Sequence, residues 1–324
     1  MPMRGLVPIL PVAPLIQIFS SPKPLIASWN PTSIVRRGVA ARLLAALVAG
    51  ALLFWTSAAC AENEADTADI ANLTREFTDP LTTLPQIFLQ DAYTPENYGT
   101  EAPANRVILR GIVPRVPRFS LLPFVQLIRP SFSLVTVPTG KGSGDTRSEF
   151  GDMQLFDFAV LPWPSAESGL LMGVGPVFIF PTATHRLAGQ GAWQVGPGFG
   201  TLYKGIPGVL LGCLIQNPIS FAYTSGKRQP LSTLLVQPIV SVYIGKGFYL
   251  KSADSSWVTG LRRGQPTTLP LSFGIGNVIV RAGLPPINVS VSGEWMVYRQ
   301  FAPVAPQTTI RFGMTIAFPG LWSW

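Results

Sequence analysis

The one histidine of this 324-residue chain, His185, stands next to Arg186 and is the side chain best placed to move protons near neutral pH. A Ser–His–acid hydrolase would have to use it, because a hydroxyl becomes a nucleophile only beside a base. No serine sits in a nucleophile-elbow context. A single histidine cannot build a histidine-based metal cluster, and no Asp or Glu stands at ligand spacing beside it. The sequence therefore reads His185 as a solvated loop residue and the chain as a non-enzyme, with a hydrolase using His185 as the minor alternative. Gly196-Pro197-Gly198-Phe199-Gly200 has the glycine content of a phosphate loop but lacks its Lys-Ser/Thr tail and following helix. Cys60 and Cys213 are the only cysteines, so neither a disulfide framework nor a cysteine metal site is available. No cofactor and no metal are expected.

The remaining pair with chemical potential is Glu294 and Arg311, and it leads to the elements that carry it. From Ile287 to Val297 the odd positions are Ile, Val, Val, Gly, Trp and Val, while the even positions Asn288, Ser290, Ser292 and Glu294 are polar. From Thr308 to Phe318 the apolar set is Ile310, Phe312, Met314, Ile316 and Phe318, opposed by Arg311, Gly313, Thr315 and Ala317. A period of two puts these sets on opposite faces of strands. Both runs have the length a tilted strand needs to cross a bilayer. Apolar-out, polar-in strands with aromatic ends mark a transmembrane β-barrel. Glu294 and Arg311 then share the inner face and can pair across the sheet.

The same alternation places strands near 84–93, 105–113, 121–137, 150–161, 169–180, 191–203, 208–223, 233–244, 247–258, 270–280, 286–298 and 308–318. The fold class is all-β, an antiparallel up-and-down transmembrane barrel of about twelve strands, ten being the alternative count. The connections fall into a short set (Pro114–Ser120, Pro162–Ser168, Lys204–Pro207, Gly245–Lys246, Arg281–Pro285) and a long set. The long set comprises Thr94–Ala104, Pro138–Glu149, Pro181–Gln190, Thr224–Ser232, Thr259–Leu269 and Arg299–Gln307. Short periplasmic turns and longer outer loops fit an even-stranded bacterial barrel. Pro176, Pro197 and Pro238 fall inside strands, where each removes a ladder hydrogen bond and is expected to cause a bulge.

With the apolar faces toward lipid, the pore-lining candidates are Gln237, Ser241, Tyr243, Asn288, Ser290, Ser292, Glu294, Arg311 and Thr315. A narrow barrel can also be plugged by such side chains. The outer loops carry a basic rim of Lys141, Arg147, Arg186, Lys227, Arg228, Arg262, Arg263 and Arg299, against Glu96, Glu101, Asp145 and Glu149. Such a rim is ordinary solvated loop, or a contact for phosphates of outer-leaflet lipid and lipopolysaccharide, or a steering field for anionic solutes. Trp295, Tyr298, Phe301, Phe312, Phe318, Trp322 and Trp324 read as interface anchors.

Residues 1–61 hold five basic residues and no acid, and Arg36–Arg37 lead into the apolar run Gly38–Ala59. A small-residue stretch, Ser57 to Ala61, precedes the first acid, Glu62. This is the layout of a cleaved secretory signal with its cut after Ala61, and a true start near residue 35 would give it an ordinary length. A lipoprotein signal at Cys60 and a retained anchor helix are the alternatives. Without residues 1–61 the net charge falls from +8 to +3, and no nucleic-acid partner is expected. Residues 62–83 are acidic and read as an irregular periplasmic leader, disordered or lying in the barrel mouth, ahead of a barrel over 84–324.

Several phrases, in order, resemble outer-membrane proteins of the meta-pathway of phenol degradation transporter family. They are Phe150-Gly151-Asp152-Met153-Gln154-Leu155, Gly173-Val174-Gly175 with Pro181-Thr182, and Gly189-Gln190-Gly191-Ala192-Trp193-Gln194-Val195-Gly196-Pro197-Gly198. Val236-Gln237-Pro238, Gly247-Phe248-Tyr249-Leu250 and Pro270-Leu271-Ser272-Phe273-Gly274-Ile275-Gly276 complete the set. The likeness covers about 150 to 318 and departs at Ala183, where the family more often has Gly. It implies an outer-membrane barrel that moves small, often aromatic or apolar compounds, and no catalytic residues. Export through the signal peptide is expected from the signal layout, and passive movement because no nucleotide or metal motif is present. A structural or adhesion-type barrel with a plugged lumen is the rival reading.

Overall fold

The computed structural model describes residues 64–100, 102–115, 125–139, 145–162, 169–224, 229–252 and 254–319; the signal region, Lys141, Lys227, Arg228, Trp322 and Trp324 lie outside them. A helix, Glu64–Thr78, precedes fifteen β-elements. These are β1 (Gln86–Tyr98), β2 (Ala104–Arg115), β3 (Val125–Pro138), β4 (Thr146–Phe150), β5 (Met153–Pro162), β6 (Leu170–Phe180), β7 (Ala192–Tyr203) and β8 (Val209–Gln216). The second half adds β9 (Ile219–Tyr223), β10 (Thr233–Gly245), β11 (Phe248–Lys251), β12 (Trp257–Gly260), β13 (Thr267–Ile279), β14 (Ile287–Gln300) and β15 (Ala305–Ala317).

Every pairing is antiparallel, and β15 returns to β1 with Ala317 opposite Gln86. Between β8 and β13 the circle is carried by β10 and the β11/β12 pair. Elements β4 and β5 both pair with β3, β8 and β9 both with β7, and β11 and β12 both with β10 and β13. Each couple is one interrupted strand, so the wall has twelve strands and no open edge. Closure matters in lipid, where an unpaired backbone edge has no water to satisfy it. The ends of β1 and β15 share one mouth, called here the terminal mouth.

Side-chain alternation is as the sequence suggests on the C-terminal strands. Val291, Trp295 and Val297 are exposed on the outside, while Asn288, Ser292 and Glu294 are buried within. The outer surface elsewhere is also apolar, with Phe132, Val174, Phe221, Ile244, Leu271 and Phe273 all exposed. The inner surface departs from the expected all-polar face. The wall from β13 through β2 is polar, but β3 to β10 point Leu127, Phe156, Phe158, Val177, Leu202, Leu214 and Ile239 inward as one dry cluster. That half is apolar on both faces, as in the run Val209 to Ile215, where alternation has no contrast to show.

Loop lengths also depart from expectation. Among the fully described connections, those at the terminal mouth run over 204–208, 246–247 and 280–286, and those at the far mouth over 181–191, 261–266 and 301–304. The two sets overlap in length. At the far end the strands keep pairing up to the turns, Thr267 with Gln300, and β14 and β15 meet through a tight turn with Phe301 at φ 53°.

The in-strand prolines act on their neighbours. Pro176 and Pro197 face each other without any change of register, so no bulge forms there. The donor Pro197 lacks coincides instead with the β8/β9 break, where Asn217 N–H donates to the Pro197 carbonyl at 3.0 Å. Beside Pro238 the facing strand does leave the ladder, between β11 and β12. Ser241 pairs with Lys251 before that break and Val236 with Trp257 after it, an offset of one residue.

Within the leader, residues 64–83 form a helix and a docked turn where an irregular segment is expected. Its helix ends at Asp79-Pro80, since the residue before a proline is pushed out of the α region, and Asp79 Oδ1 accepts from Leu81 N–H at 2.7 Å. Thr78 Oγ1 lies 2.8 Å from the Tyr243 hydroxyl, and the buried Asp79 carboxylate meets Lys204 Nζ at 2.5 Å. Leu81, 2 % exposed, belongs to the dry cluster. The segment stays ordered because it buries apolar surface on the half of the lumen that offers it. Two glycines make its seat: a Cβ at Gly173 would lie 2.8 Å from Leu81, and one at Gly200 3.0 Å from it. Gly200→Val is expected to expel the leader while leaving the barrel folded, read as new protease cleavage within 64–83 with unchanged heat-modifiable gel mobility.

Candidate functional site

Because Pro238 has no N–H to offer β11/β12, Ser252 and residues 254–256 leave the wall and turn into the lumen. Ser252 Oγ stands in for the lost ladder contacts, donating to the Pro238 carbonyl at 3.1 Å and accepting from Val240 N–H at 3.0 Å. The excursion delivers Asp254 and Ser255 to the lumen interior. Asp254 accepts from Gln90 Nε2 at 3.3 Å and Gln237 Nε2 at 3.5 Å, and Lys251 Nζ is 4.0 Å away. Arg311 Nη1 donates to the Asp254 carbonyl at 2.9 Å and Arg311 Nη2 to Glu294 at 2.7 Å. Ser255 hydroxyl donates to the same Glu294 carboxylate. One carboxylate-bearing loop is thus tied to both sides of a belt that spans the lumen.

Arg110 and Arg129 complete the belt. Arg110 lies over the Phe88 ring at 5.0 Å and donates to Ser131 Oγ at 3.3 Å. Arg129, only 7 % exposed, stacks over Phe156 at 4.1 Å. Stacking on aromatic faces is a favoured arginine environment. Arg106, one inward position beyond Ile108, interacts electrostatically with Arg311 and Glu294. Between this belt and the leader lies a chamber of about 90 Å3, bounded below by Phe77 to Pro80 and at the sides by residues such as Ile112, Ile239 and Asn288.

The nine lining candidates all stand on inward positions. Gln237, Glu294 and Arg311 are in the belt, and Gln237, Ser241, Asn288 and Thr315 line the chamber. Asn288 accepts from the Tyr249 hydroxyl at 2.8 Å, and Tyr243 meets the leader. Ser292 is buried opposite Arg311, and Ser290 lies beside Gly313. Sequence reasoning missed Arg106, Arg110, Arg129, Lys251 and Asp254. The first two carry a legible signal, since Arg106, Ile108, Arg110 and Ile112 occupy alternate positions of β2. Asp254 carries none, because its direction depends on Pro238 in another strand.

The rim is scattered in the structure. Arg147 pairs with Glu149, Arg299 stacks on Tyr98 at 4.2 Å and donates to the Ala302 carbonyl, and Arg186, Arg262 and Arg263 are exposed. His185 Nδ1 accepts from Leu187 N–H at 3.3 Å in a turn of the 181–191 loop. Trp295, Tyr298 and Phe301 are exposed toward the far mouth.

Two acids break the apolar exterior. Asp91 pairs with the outward Phe312 and Val107, and Asn105 stands beside it on the same face, the Oδ1 of each buried without a partner. Asp157 accepts from Gln126 at 3.1 Å, also on outward positions. Replacing a desolvated polar pair by apolar residues removes two desolvation penalties at once. The double change Asp91→Leu with Asn105→Leu is expected to stabilise the barrel by about 1–3 kcal/mol in urea unfolding.

No protein-family model matches the chain, and no curated protein sequence matches it. Among solved structures, the chain is similar to the COG4313 outer membrane channel from Pseudomonas putida F1 at 12 % identity and TM-score 0.50, over 74 % of this chain and 98 % of that one. The KdgM porin in complex with disordered oligogalacturonate matches at 7 % identity and TM-score 0.40, over 72 % and 99 %. The CymD monoaromatic hydrocarbon channel matches at 10 % identity and TM-score 0.26, over 77 % and 91 %. At 12 % identity the likeness to the first is one of fold, and the strand pairing makes the chain a closed twelve-stranded antiparallel barrel of the outer-membrane type.

Proposed function

We propose that the chain is a passive outer-membrane channel of a Gram-negative-type cell, carrying small solutes down their gradients. One observation carries this reading: a wall without edges, apolar outside, encloses a polar belt and a solvent-sized chamber. A structural barrel has no need to line its axis with charge, because burying charge is costly. In this reading residues 1–61 are the export signal and 62–83 the periplasmic leader, so the terminal mouth faces the periplasm. The exposed rim arginines meet outer-leaflet phosphates and lipopolysaccharide. The ordered phrases between 150 and 318 support membership of the phenol-degradation transporter family, and with it small, often aromatic or apolar solutes. The same features support a non-enzymatic role.

The leader favours a second reading, a plugged barrel without transport, because Leu81 and the Asp79–Lys204 pair hold it in the lumen mouth. Planar-bilayer recording separates the two. Discrete openings of the full chain, lost on inserting bulk at the belt with Ser292→Trp, are expected of a channel; a chain silent with and without its leader contradicts it.

A further inference from the structure

The belt is out of electrical balance. Arg106, Arg110, Arg129, Lys251 and Arg311 stand inside the lumen against Asp254 and Glu294. Glu294 is committed to Arg311 at 2.7 Å. Asp254 has its contacts with Gln90, Gln237 and Lys251 and a backbone contact to Arg311, and its single charge is shared at longer range by Arg110 and Arg129. None of the ion pairs among the described residues includes Arg110 or Arg129, although Arg129 is 7 % exposed. A guanidinium stays charged in any protein setting, so a desolvated one calls for an anion. Both guanidiniums border the same chamber, together with Lys251.

The chamber has two characters. Its belt side is cationic. Its leader side is apolar, with Phe77, Phe88, Ile112 and Ile239. At a liquid share of about 30 Å3 per water, the chamber's roughly 90 Å3 holds about three waters, so it takes a carboxylate and part of a ring, the remainder reaching through its open side. We propose that this chamber binds a small organic monocarboxylate, its carboxylate between Arg110 and Arg129 and its apolar body toward Phe77 and Ile239. Arg110 and Arg129 present forked donors that match a carboxylate's two oxygens. Asp254 sets the limit on charge: it holds Lys251 and repels a second carboxylate, so a dianion is disfavoured. The proposal deepens the channel reading by naming its solute class, and for transport it rests on that reading; binding itself does not.

Titration calorimetry on the full chain in detergent tests it, with benzoate as probe and benzyl alcohol as its neutral counterpart. Benzoate is expected to bind at least tenfold more tightly than benzyl alcohol. Arg129→Met and Arg110→Met each keep an apolar stem on the neighbouring ring, and each is expected to weaken benzoate about ten- to a hundredfold, the range for one charge-assisted hydrogen bond. Benzyl alcohol binding should stay unchanged. Asp254→Asn is expected to tighten benzoate. Heat-modifiable mobility selects the folded variants, and if Arg129→Met does not fold, Arg110→Met decides. Equal binding of the two probes, no benzoate binding by folded protein, or benzoate binding indifferent to Arg110→Met overturns the proposal. Because the readout needs no permeation, a chain that binds benzoate but conducts nothing sinks only the channel reading, whereas one that conducts without anion preference and ignores benzoate sinks only this site.

Discussion

Deleting residues 64–83 is expected to raise single-channel conductance severalfold. An eight-stranded barrel is just filled by its own side chains, and the interior widens with strand number. Twelve strands leave space inside, and a helix with side chains is about 10–12 Å across. The leader takes that space at the terminal mouth: Thr78 reaches Tyr243, Leu81 seats over Gly173 and Gly200, and Phe77 to Pro80 floor the chamber. The belt remains after deletion, so the enlarged channel should still be narrow and should keep its preference for anions. Planar-bilayer conductance with reversal potentials under a salt gradient reads both. A deletion protein that folds yet conducts no better than the full chain would mean the belt, not the leader, limits flow.

Lys204→Met is the second large effect. The Asp79 side chain is 1 % exposed and its partner Lys204 27 %. Removing the cation leaves a buried carboxylate alone, which costs about 3–5 kcal/mol for a fully buried pair. Since Lys204 is partly solvated, the lower end applies, about 3 kcal/mol, on the order of a hundredfold in the docking equilibrium. Burial alone already pushes the Asp79 carboxyl above the usual range, against the pull of Lys204. The variant should therefore show fast amide exchange across 70–84 with the barrel amides still protected. Asp79→Asn in the same chain should recover part of the docking, since an amide needs no counter-charge.

What the sequence tells, and where it goes silent, follows one rule. Where the two faces of a strand differ, alternation reads out direction: β14 and β15 put Val291 and Ile310 outside and Glu294 and Arg311 inside. The Glu294–Arg311 contact was legible for that reason. Where both faces are apolar, as in β8, the pattern cannot say that Leu210 and Leu214 form a core with Leu81. The leader's composition argued for disorder because its partners are remote: Thr78 and Tyr243 lie far apart in sequence, as do Asp79 and Lys204. Proline's effect was likewise displaced. Pro238 sits quietly in β10 while the strand beside it turns inward and supplies Asp254. The cationic half of the belt is legible only at Arg110, through the alternation of β2, since Arg129 and Lys251 come from two other strands.

The most direct measurement is a reversible lock on the leader. In a chain carrying Cys213→Ser, cysteines replace Leu81 and Gly173. A Cβ at Gly173 would lie 2.8 Å from Leu81 Cδ2, which is two bonds from Leu81's own Cβ, so the two thiols come within reach of a disulfide. Conductance is then recorded in oxidant and again in reductant. The account predicts that oxidation closes a disulfide and drops conductance to a low floor, and that reduction restores openings in the same membrane. Complete cross-linking with conductance unchanged between the two states would contradict it.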